Sequence, residues 1–209
     1  MMSKTLPLLV LLILMGCTVT PDRQKSIAIQ PFEDFPQQYI DSLIPVLQNE
    51  FGKEIIVLPS IELPQHAFIN IKSPRYRADS LIVFLKERIS DSCSNILGLT
   101  TKDISITKRD KKGNIRTPEY KYNDFGIFGL AFRPGKSAIV STYRIGKTSK
   151  ANKLERFKKI STHEVGHNLG LPHCSIEKTC VMADAVESIK TVDNCNPTFC
   201  NSCLEIIGL

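Results

Sequence analysis

The segment from Ser161 to Cys174, STHEVGHNLGLPHC, limits what this chain can fold into more than any other stretch of the sequence. Apolar residues at helical spacing lead into it, so residues 153–169 are predicted to form one helix with Asn152 as its N-cap. Gly170 permits the left-handed backbone that ends a helix, and Pro172 prevents the helix from resuming. The chain must therefore turn back beside the end of this helix.

Two histidines of that helix, His163 and His167, are four residues apart and project from the same face, one turn above the other. His173 follows the turn and can complete a site of three imidazoles. Three protein nitrogens leave one position of a tetrahedral zinc ion for water, which is typical of catalytic sites. Glu164 lies beside the first histidine, where its carboxylate can act as general base without binding the metal. The segment therefore predicts a zinc-dependent hydrolase.

Cysteines are crowded at the C-terminal end of the chain. Five of the seven fall within the last 36 residues, namely Cys174, Cys180, Cys195, Cys200 and Cys203. Such crowding indicates a local staple of either zinc or disulfides. A Cys-x-x-Cys pair is common in four-cysteine zinc sites, whereas an oxidising compartment favours disulfides, so both alternatives stay open.

The N-terminal residues indicate export. Lys4 precedes an apolar run over residues 6–15, which has the length of a signal-peptide core and is too short to span a membrane as a helix. The run ends in Leu-Met-Gly-Cys17, which resembles the lipobox of bacterial lipoproteins, in which the cysteine is lipidated and the chain is cut before it. The alternative is an ordinary secretory signal, or an uncleaved anchor, with a chance cysteine.

The expected organisation has three parts: a signal peptide at 1–16, a tether at 17–26 and one catalytic domain at 27–209. We expect a protein that is exported and anchored to a bacterial membrane by a lipid on Cys17. Thr18 is not the aspartate that would favour retention in an inner membrane. The outer membrane or the periplasmic face is therefore expected if the cell is Gram-negative.

Helix-like and strand-like patterns alternate through the catalytic domain. Period and composition predict strands at 27–29, 54–58, 96–99, 125–132 and 137–143, helices at 37–51 and 74–89, and an exposed hairpin or loop at 107–121. Pro45 lies inside the first of these helices, where it is expected to kink the chain. The pattern predicts an α+β fold with an α/β-like N-terminal half, in which helices pack on a mixed sheet.

Charge does not indicate a nucleic-acid partner. The chain has 27 Lys and Arg against 21 Asp and Glu, a modest excess, and its 42% of hydrophobic residues excludes a disordered chain. The basic segment 107–121 contains Tyr120 as its single aromatic residue. A solvated loop is the better interpretation, and an exported protein seldom meets nucleic acid, so none is expected to bind.

Over most of residues 27–203 the sequence resembles the metzincin metallopeptidases, and most closely the archaemetzincins. The resemblance lies in the third histidine followed at once by Cys174, in Cys180-Val181-Met182, and in the later Cys-Asn-Ser-Cys203. It implies a metzincin-type mixed twisted sheet with an active-site helix and a cysteine-stapled C-terminal part, in which Met182 lies in a turn beneath the zinc. It also implies that a peptide or protein substrate lies along an edge strand at residues 128–131.

The resemblance implies a second, structural zinc held by four cysteines, which carry over to Cys174, Cys180, Cys200 and Cys203. Five residues separate the first two of them, where the family is expected to have four, so the loop is one residue longer. Cys195 is additional, and it could replace one of the four ligands or pair with Cys93.

Two functions follow for the whole chain. The first is a zinc metallopeptidase that hydrolyses peptide bonds through a zinc-activated water, with Glu164 as general base. The second is a zinc-containing, lipid-anchored binding protein with little or no peptidase activity. Glu164 argues for the first, because a purely structural zinc site needs no carboxylate there. Tyr143 lies near the expected sheet edge and is the one weak candidate for stabilising the oxyanion.

Overall fold

The computed structural model describes residues 25–183 and 188–208. The described chain folds into β1 (Ser26–Pro31), α1 (Gln37–Phe51), β2 (Ile55–Val57), β3 (Phe68–Asn70), β4 (Pro74–Arg77), α2 (Ala78–Lys86), β5 (Cys93–Thr100), β6 (Ile104–Ile106), α3 (Glu119–Tyr122), β7 (Phe125–Ile127), β8 (Gly129–Ala131), β9 (Ser137–Ser141), α4 (Lys150–Asn168), α5 (Ile189–Asn194) and α6 (Asn201–Ile207). The predicted α+β fold with mixed sheets and packed helices is confirmed. The predicted signal peptide and Cys17 lie outside the described residues.

The larger sheet has the strand order β2-β1-β5-β9-β8. The neighbouring strands pair in parallel except for β8, which is antiparallel to β9 and forms one edge. Helices cover both faces: Ala138 and Val140 of β9 pack in the core on the side of α1 and α4, whereas Ile139 packs on the side of α2. Because both faces are covered, β1 is buried along its whole length and β5 is buried at every position except Ser94.

The smaller sheet has the order β3-β4-β6-β7 and corrects one prediction. Pro74–Arg77 was predicted as the first turn of a helix but is the strand β4, in which Tyr76 pairs with Ile104, and the helix begins at Ala78. Ion pairs with residues distant in the chain favour the strand: the buried Arg75 pairs with Asp103 and with Asp124, each at 3.3 Å. The predicted apolar stripe begins only at Leu81, so it does not reveal where the helix starts.

A second correction concerns residues 125–132, which were predicted as one strand. The chain divides at the buried Phe128, so that β7 belongs to the smaller sheet and β8 to the larger one. The Asp103 carboxylate links the two regions, because it accepts two 2.6 Å hydrogen bonds from Arg144, beyond β9, and pairs with Arg75 of β4. A side chain at Gly126 of β7 would meet the Arg144 guanidinium, so this glycine leaves room for the link.

Helix α1 spans the predicted residues 37–51, whereas α2 ends at Lys86, three residues before the predicted end at residue 89. Pro45 lies on an exposed face of α1, and the helix continues through it to Phe51. The long helix α4 begins at Lys150, three residues earlier than predicted, because Ser149 is its N-cap and accepts a hydrogen bond from the backbone N–H of Asn152. Asn152 is therefore a first-turn residue and not the cap.

Candidate metal centre

Two histidines of α4 are held by backbone carbonyls. Nδ1 of His163 donates to the carbonyl of Val181 at 2.9 Å, and Nδ1 of His167 donates to that of Leu171 at 2.8 Å. A proton fixed on Nδ1 leaves Nε2 as the metal-binding nitrogen of each ring. Both rings are therefore oriented by the fold itself.

The turn after α4 brings the third histidine to the other two. Gly170 has a φ of 97°, which ends the helix in the left-handed conformation that the sequence predicted. The ring of His173 lies 5.4 Å from that of His163 and 4.9 Å from that of His167, between centroids. One ligand atom from each of the three histidines lies within 4.8 Å of the others. This spacing of neutral nitrogen donors suits one zinc ion.

Burial keeps these imidazoles in the form that binds a metal. Desolvation lowers the pKa of His163 to about 3, and the electrostatic interaction with the nearby His167 lowers it further. Desolvation also lowers the pKa of His167. Neutral imidazole binds a metal whereas protonated imidazole does not. The pair is thus ready for zinc well below neutral pH.

Glu164 is enclosed between α4 and the edge strand β8. Its side chain is buried, and burial raises the pKa of its carboxyl group to about 8. A Cβ atom added to Gly129 of β8 would lie 2.6 Å from Oε1 of Glu164. The glycine therefore leaves the space that the carboxylate occupies, and β8 and Glu164 form one wall of the site.

The three histidines and Glu164 open into a cleft of about 370 Å³. Its remaining lining comes from β8 and from residues near both sheets, namely Ile106, Lys108, Ile127, Gly129, Leu130, Ala131 and Arg133. Lys108 and Arg133 also lie at the site, which no sequence pattern indicated, and each follows a strand that ends there. Tyr143 is 64% exposed and does not belong to the described lining, so nothing in the geometry supports an oxyanion role for it.

Met182 lies under the helix that carries the histidines. Its side chain is fully buried, and a Cβ atom added to Gly166 would lie 2.7 Å from its sulfur. The backbone carbonyl of Met182 accepts a 2.7 Å hydrogen bond from the N–H of Cys174. Gly166 thus lets the thioether approach α4 between the two histidines, and the hydrogen bond ties the methionine turn to the residue after His173.

Four cysteines form a second cluster behind this turn. The sulfur atoms of Cys174 and Cys200 are 3.7 Å apart, those of Cys180 and Cys203 are 3.8 Å apart, and all four lie within 4.8 Å of one another. A disulfide would require about 2.05 Å. The edge of a tetrahedron with 2.3 Å zinc–sulfur bonds is about 3.8 Å. The spacing therefore suits zinc, and the described cysteines are all free thiols.

The two remaining described cysteines lie outside this cluster. Cys195 donates from its thiol to the carbonyl of Val192 at 3.2 Å, and Cys93 begins β5. The structure shows neither a bond between them nor a replacement of a cluster member by Cys195. The extra residue between Cys174 and Cys180 lies in an exposed loop that includes Ile176, and the four sulfurs meet despite it.

The sequence of this chain is similar to those of known peptidases. The family model for peptidase family M54 matches residues 24–208. The archaemetzincin of Haloquadratum walsbyi is 29% identical over 188 residues, covering 86% of this chain and 97% of that protein. The archaemetzincin of Methanopyrus kandleri is 32% identical over 146 residues, covering 70% of this chain and 73% of that protein.

Solved structures agree with the fold. The crystal structure of the Methanopyrus kandleri archaemetzincin superposes with a TM-score of 0.72 at 27% identity, covering 91% of this chain and 97% of that one. That of the Archaeoglobus fulgidus archaemetzincin, complexed with malonate, gives 0.67 at 26% identity, covering 87% and 99%. Within the described residues, none of the helices has the length and apolar character needed to cross a membrane.

Proposed function

This chain belongs to peptidase family M54, the archaemetzincin family of zinc metallopeptidases, and we propose that it hydrolyses peptide bonds in the cleft beside α4, with Glu164 as general base. One observation carries this proposal. Three imidazoles converge within 4.8 Å at the floor of a cleft that the Glu164 carboxylate also lines. A metal held there has protein ligands on one side and space for water and substrate on the other.

We propose that His163, His167 and His173 hold the zinc ion, the first two through Nε2. When bound, zinc polarises the scissile carbonyl and lowers the pKa of water towards ~7. The carbonyls of Val181 and Leu171 fix the two helical rings before the metal arrives. The chain therefore supplies a preformed ligand set that needs little reorganisation.

Glu164 would accept the proton of the attacking water and deliver it to the departing amine nitrogen. Burial raises the pKa of its carboxyl group, so the ionised carboxylate is a stronger base than that of an exposed glutamate. Gly129 leaves room for the carboxylate beside β8. The Glu164 carboxylate and β8 thus lie next to each other at the place where a scissile bond would lie.

The substrate would bind along β8. This strand pairs with β9 on one side and lines the cleft with its other side. An extended peptide can add to such an edge as a further strand. The hydrogen bonds then come from its backbone and do not depend on its side chains. The proposed substrate is accordingly a peptide or an extended segment of a protein.

We further propose a structural zinc at Cys174, Cys180, Cys200 and Cys203. Three of these side chains are buried, and four sulfur ligands would fill the tetrahedral coordination of zinc, which distinguishes the cluster from the histidine site. Zinc at this position would fasten α6 and the loop after His173 to the methionine turn.

The anchor remains a proposal that rests on residues 4–17. A lipid on Cys17 would attach the catalytic domain to the membrane of an exporting bacterium through the short segment before Ser26, where β1 begins. Cys17→Ser should move the protein from the membrane fraction to the soluble fraction. If the wild-type protein already fractionates as soluble cytoplasmic material, the proposed anchor is wrong. The argument from export against a nucleic-acid partner then no longer holds.

Hydrolysis can be tested with the full chain and a peptide library read by mass spectrometry. We expect cleavage products with the wild-type protein, none after removal of zinc by a chelator, and their return when zinc is added back. Tight zinc binding without any cleavage would contradict the peptidase proposal and favour a zinc-containing binding protein.

A further inference from the structure

Two cationic side chains line the cleft, and each comes from a different sheet. Lys108 follows β6 of the smaller sheet, and Arg133 follows β8 of the larger one. Building on the proposed peptidase function, we propose that this pair selects peptides with an acidic side chain near the scissile bond, with Arg133 as the principal specificity-determining residue.

Arg133 is exposed, but its backbone is fixed relative to the histidines. The buried Asn168, which follows His167 on α4, donates from Nδ2 to the carbonyls of Phe132 and Ser137, both at 2.9 Å. The backbone carbonyl of Asn168 accepts a 3.0 Å hydrogen bond from the backbone N–H of Gly135. Three hydrogen bonds thus hold the turn that carries Arg133 to the end of the metal-binding helix.

The guanidinium of Arg133 is directed toward the site by this turn. It lines the cleft together with His167, and its positive charge contributes to the lowered pKa of that histidine. In the described part of the chain, no acidic side chain forms an ion pair with it. A guanidinium binds a carboxylate through two parallel N–H donors, so a substrate carboxylate is a matching partner.

Lys108 is held at the opposite wall. Its backbone N–H donates to the carbonyl of Tyr122 at 2.9 Å, and its carbonyl accepts from the N–H of Arg116 at 3.0 Å. Its ammonium nitrogen lies 4.2 Å from the centre of the Phe125 ring. These contacts place the second positive charge at the base of a hairpin, at a defined position beside the cleft.

The charge around the cleft is strongly one-sided. Among the described residues that line the cleft, Glu164 is the one acidic residue, and the proposed chemistry uses it as the base. The segment 107–121 carries six basic residues against two acidic ones, Asp110 and Glu119; the basic ones are Lys108, Arg109, Lys111, Lys112, Arg116 and Lys121. This net charge of +4 is most of the formal +6 of the chain. Such a field attracts anionic peptides and repels cationic ones.

The test uses sets of peptides that differ at one position, occupied by Glu, Gln or Lys, scanned across three positions on either side of the cleaved bond. We expect one position at which wild-type kcat/KM is highest for Glu and lowest for Lys. Arg133→Gln should reduce the Glu-to-Gln ratio about fivefold, which is the upper range for an exposed charge pair. Arg133→Glu should invert the order, so that the Lys peptide becomes better than the Glu peptide. Inversion separates charge recognition from a merely structural role.

Arg88→Gln is the matched control, because Arg88 lies over the ring of Phe84 on α2 and is not part of the cleft lining. It should leave the peptide ratios as in the wild type. Lys108→Gln should reduce the Glu-to-Gln ratio in the same direction as Arg133→Gln. A wild-type protein that cleaves Glu, Gln and Lys peptides alike at all positions would overturn the inference and leave the peptidase proposal standing.

A binding measurement without turnover distinguishes failure of the peptidase proposal from failure of the proposed charge selection. Fluorescence anisotropy of labelled Glu and Lys peptides with Glu164→Gln, with and without zinc, should show tighter binding of the Glu peptide and a loss of this preference with added Arg133→Glu. If this binding pattern appears but no peptide is cleaved by wild type, the peptidase proposal fails and the charge selection holds. Equal binding of both peptides by Glu164→Gln would contradict the charge selection.

Discussion

The histidine centre and the cysteine cluster lie in one stretch of chain and differ in their access to solvent. His173 is exposed and its two partners line a cleft, whereas three of the four cysteines are buried behind the methionine turn. His173 and Cys174 are adjacent, and the N–H of Cys174 is bonded to Met182. The chain thus places a solvent-accessible group of histidines beside a mostly buried cysteine cluster, and the two are joined at His173 and Cys174.

The two regions also differ in how far they are formed without metal. Backbone carbonyls hold the rings of His163 and His167, and desolvation keeps the pKa of both below the usual value. In the cysteine cluster, burial raises the pKa of the thiols of Cys180 and Cys203, so thiolates are unfavourable until a cation binds. The histidine centre should therefore persist without metal, while the cysteine cluster should loosen.

Glu164→Gln should have the largest effect and should act on the histidine centre alone. Loss of the general base should lower kcat/KM about 10³-fold while both zinc sites stay occupied, because the carboxylate is not a ligand. Steady-state kinetics and metal analysis on the same preparation check this. Glu155→Gln on the same helix, at an exposed residue paired with Lys158, is the control and should leave activity intact. Wild-type cleavage by Glu164→Gln would refute the assigned role.

Cys200→Ser should act on the other region. It should remove the zinc of the cysteine cluster and lower Tm by about 10 °C, since a loss of about 3 kcal/mol corresponds to that shift in a domain of this size. Calorimetry and metal analysis should show one zinc lost and the histidine zinc retained. Cys195→Ser, outside the cluster, should keep both. Equal zinc content in Cys200→Ser and wild type would argue against the cysteine site.

Gly129→Ala should disturb the histidine centre without removing its metal. The new methyl group would lie 2.6 Å from Oε1 of Glu164 and displace the carboxylate or β8. We expect kcat to fall about tenfold with unchanged zinc content, because a displaced base loses much of its effect. Unchanged kcat in this variant would show that β8 and Glu164 do not meet as the structure has them.

The pH dependence of the metal-free protein gives the smallest effect. The pKa of Glu164 is raised from 4.5 to about 8 by burial, so the folded state holds a proton that the unfolded state releases between these values. The free energy of unfolding is therefore not reduced by Glu164 below pH 4.5, and it decreases as the pH rises from 4.5 towards 8. Glu164→Gln removes this loss. Because water in the cleft screens part of the penalty, the variant should gain about 5 °C in Tm over wild type from low to high pH. A constant difference would contradict this.

The sequence predicted the local features well because their causes are local. The four-residue spacing on α4 and the left-handed Gly170 bring the three histidines together, so residues 163–173 alone suffice to predict the ligand set. The predictions failed where distant contacts decide. Residues Pro74–Arg77 form a strand because Arg75 pairs with the carboxylates of Asp103 and Asp124, which directly precede β6 and β7, and the chain changes sheet at Phe128.

The cleft walls show the same limit. Lys108 and Arg133 are 25 residues apart in the chain and lie in different loops, so no periodicity connects them. Only the topology, which ends β6 and β8 beside one another at the histidines, brings both charges to the cleft. Residue types at fixed spacing identify the ligands, whereas the sheet order determines what surrounds them.

Anomalous diffraction at the zinc edge, from crystals of the zinc-loaded protein, tests the histidine centre itself. We expect a peak about 2.1 Å from one nitrogen each of His163, His167 and His173, with no fourth protein ligand on the side of Glu164. An absent peak at this position in zinc-loaded crystals, or a protein side chain in the fourth position, would contradict the account.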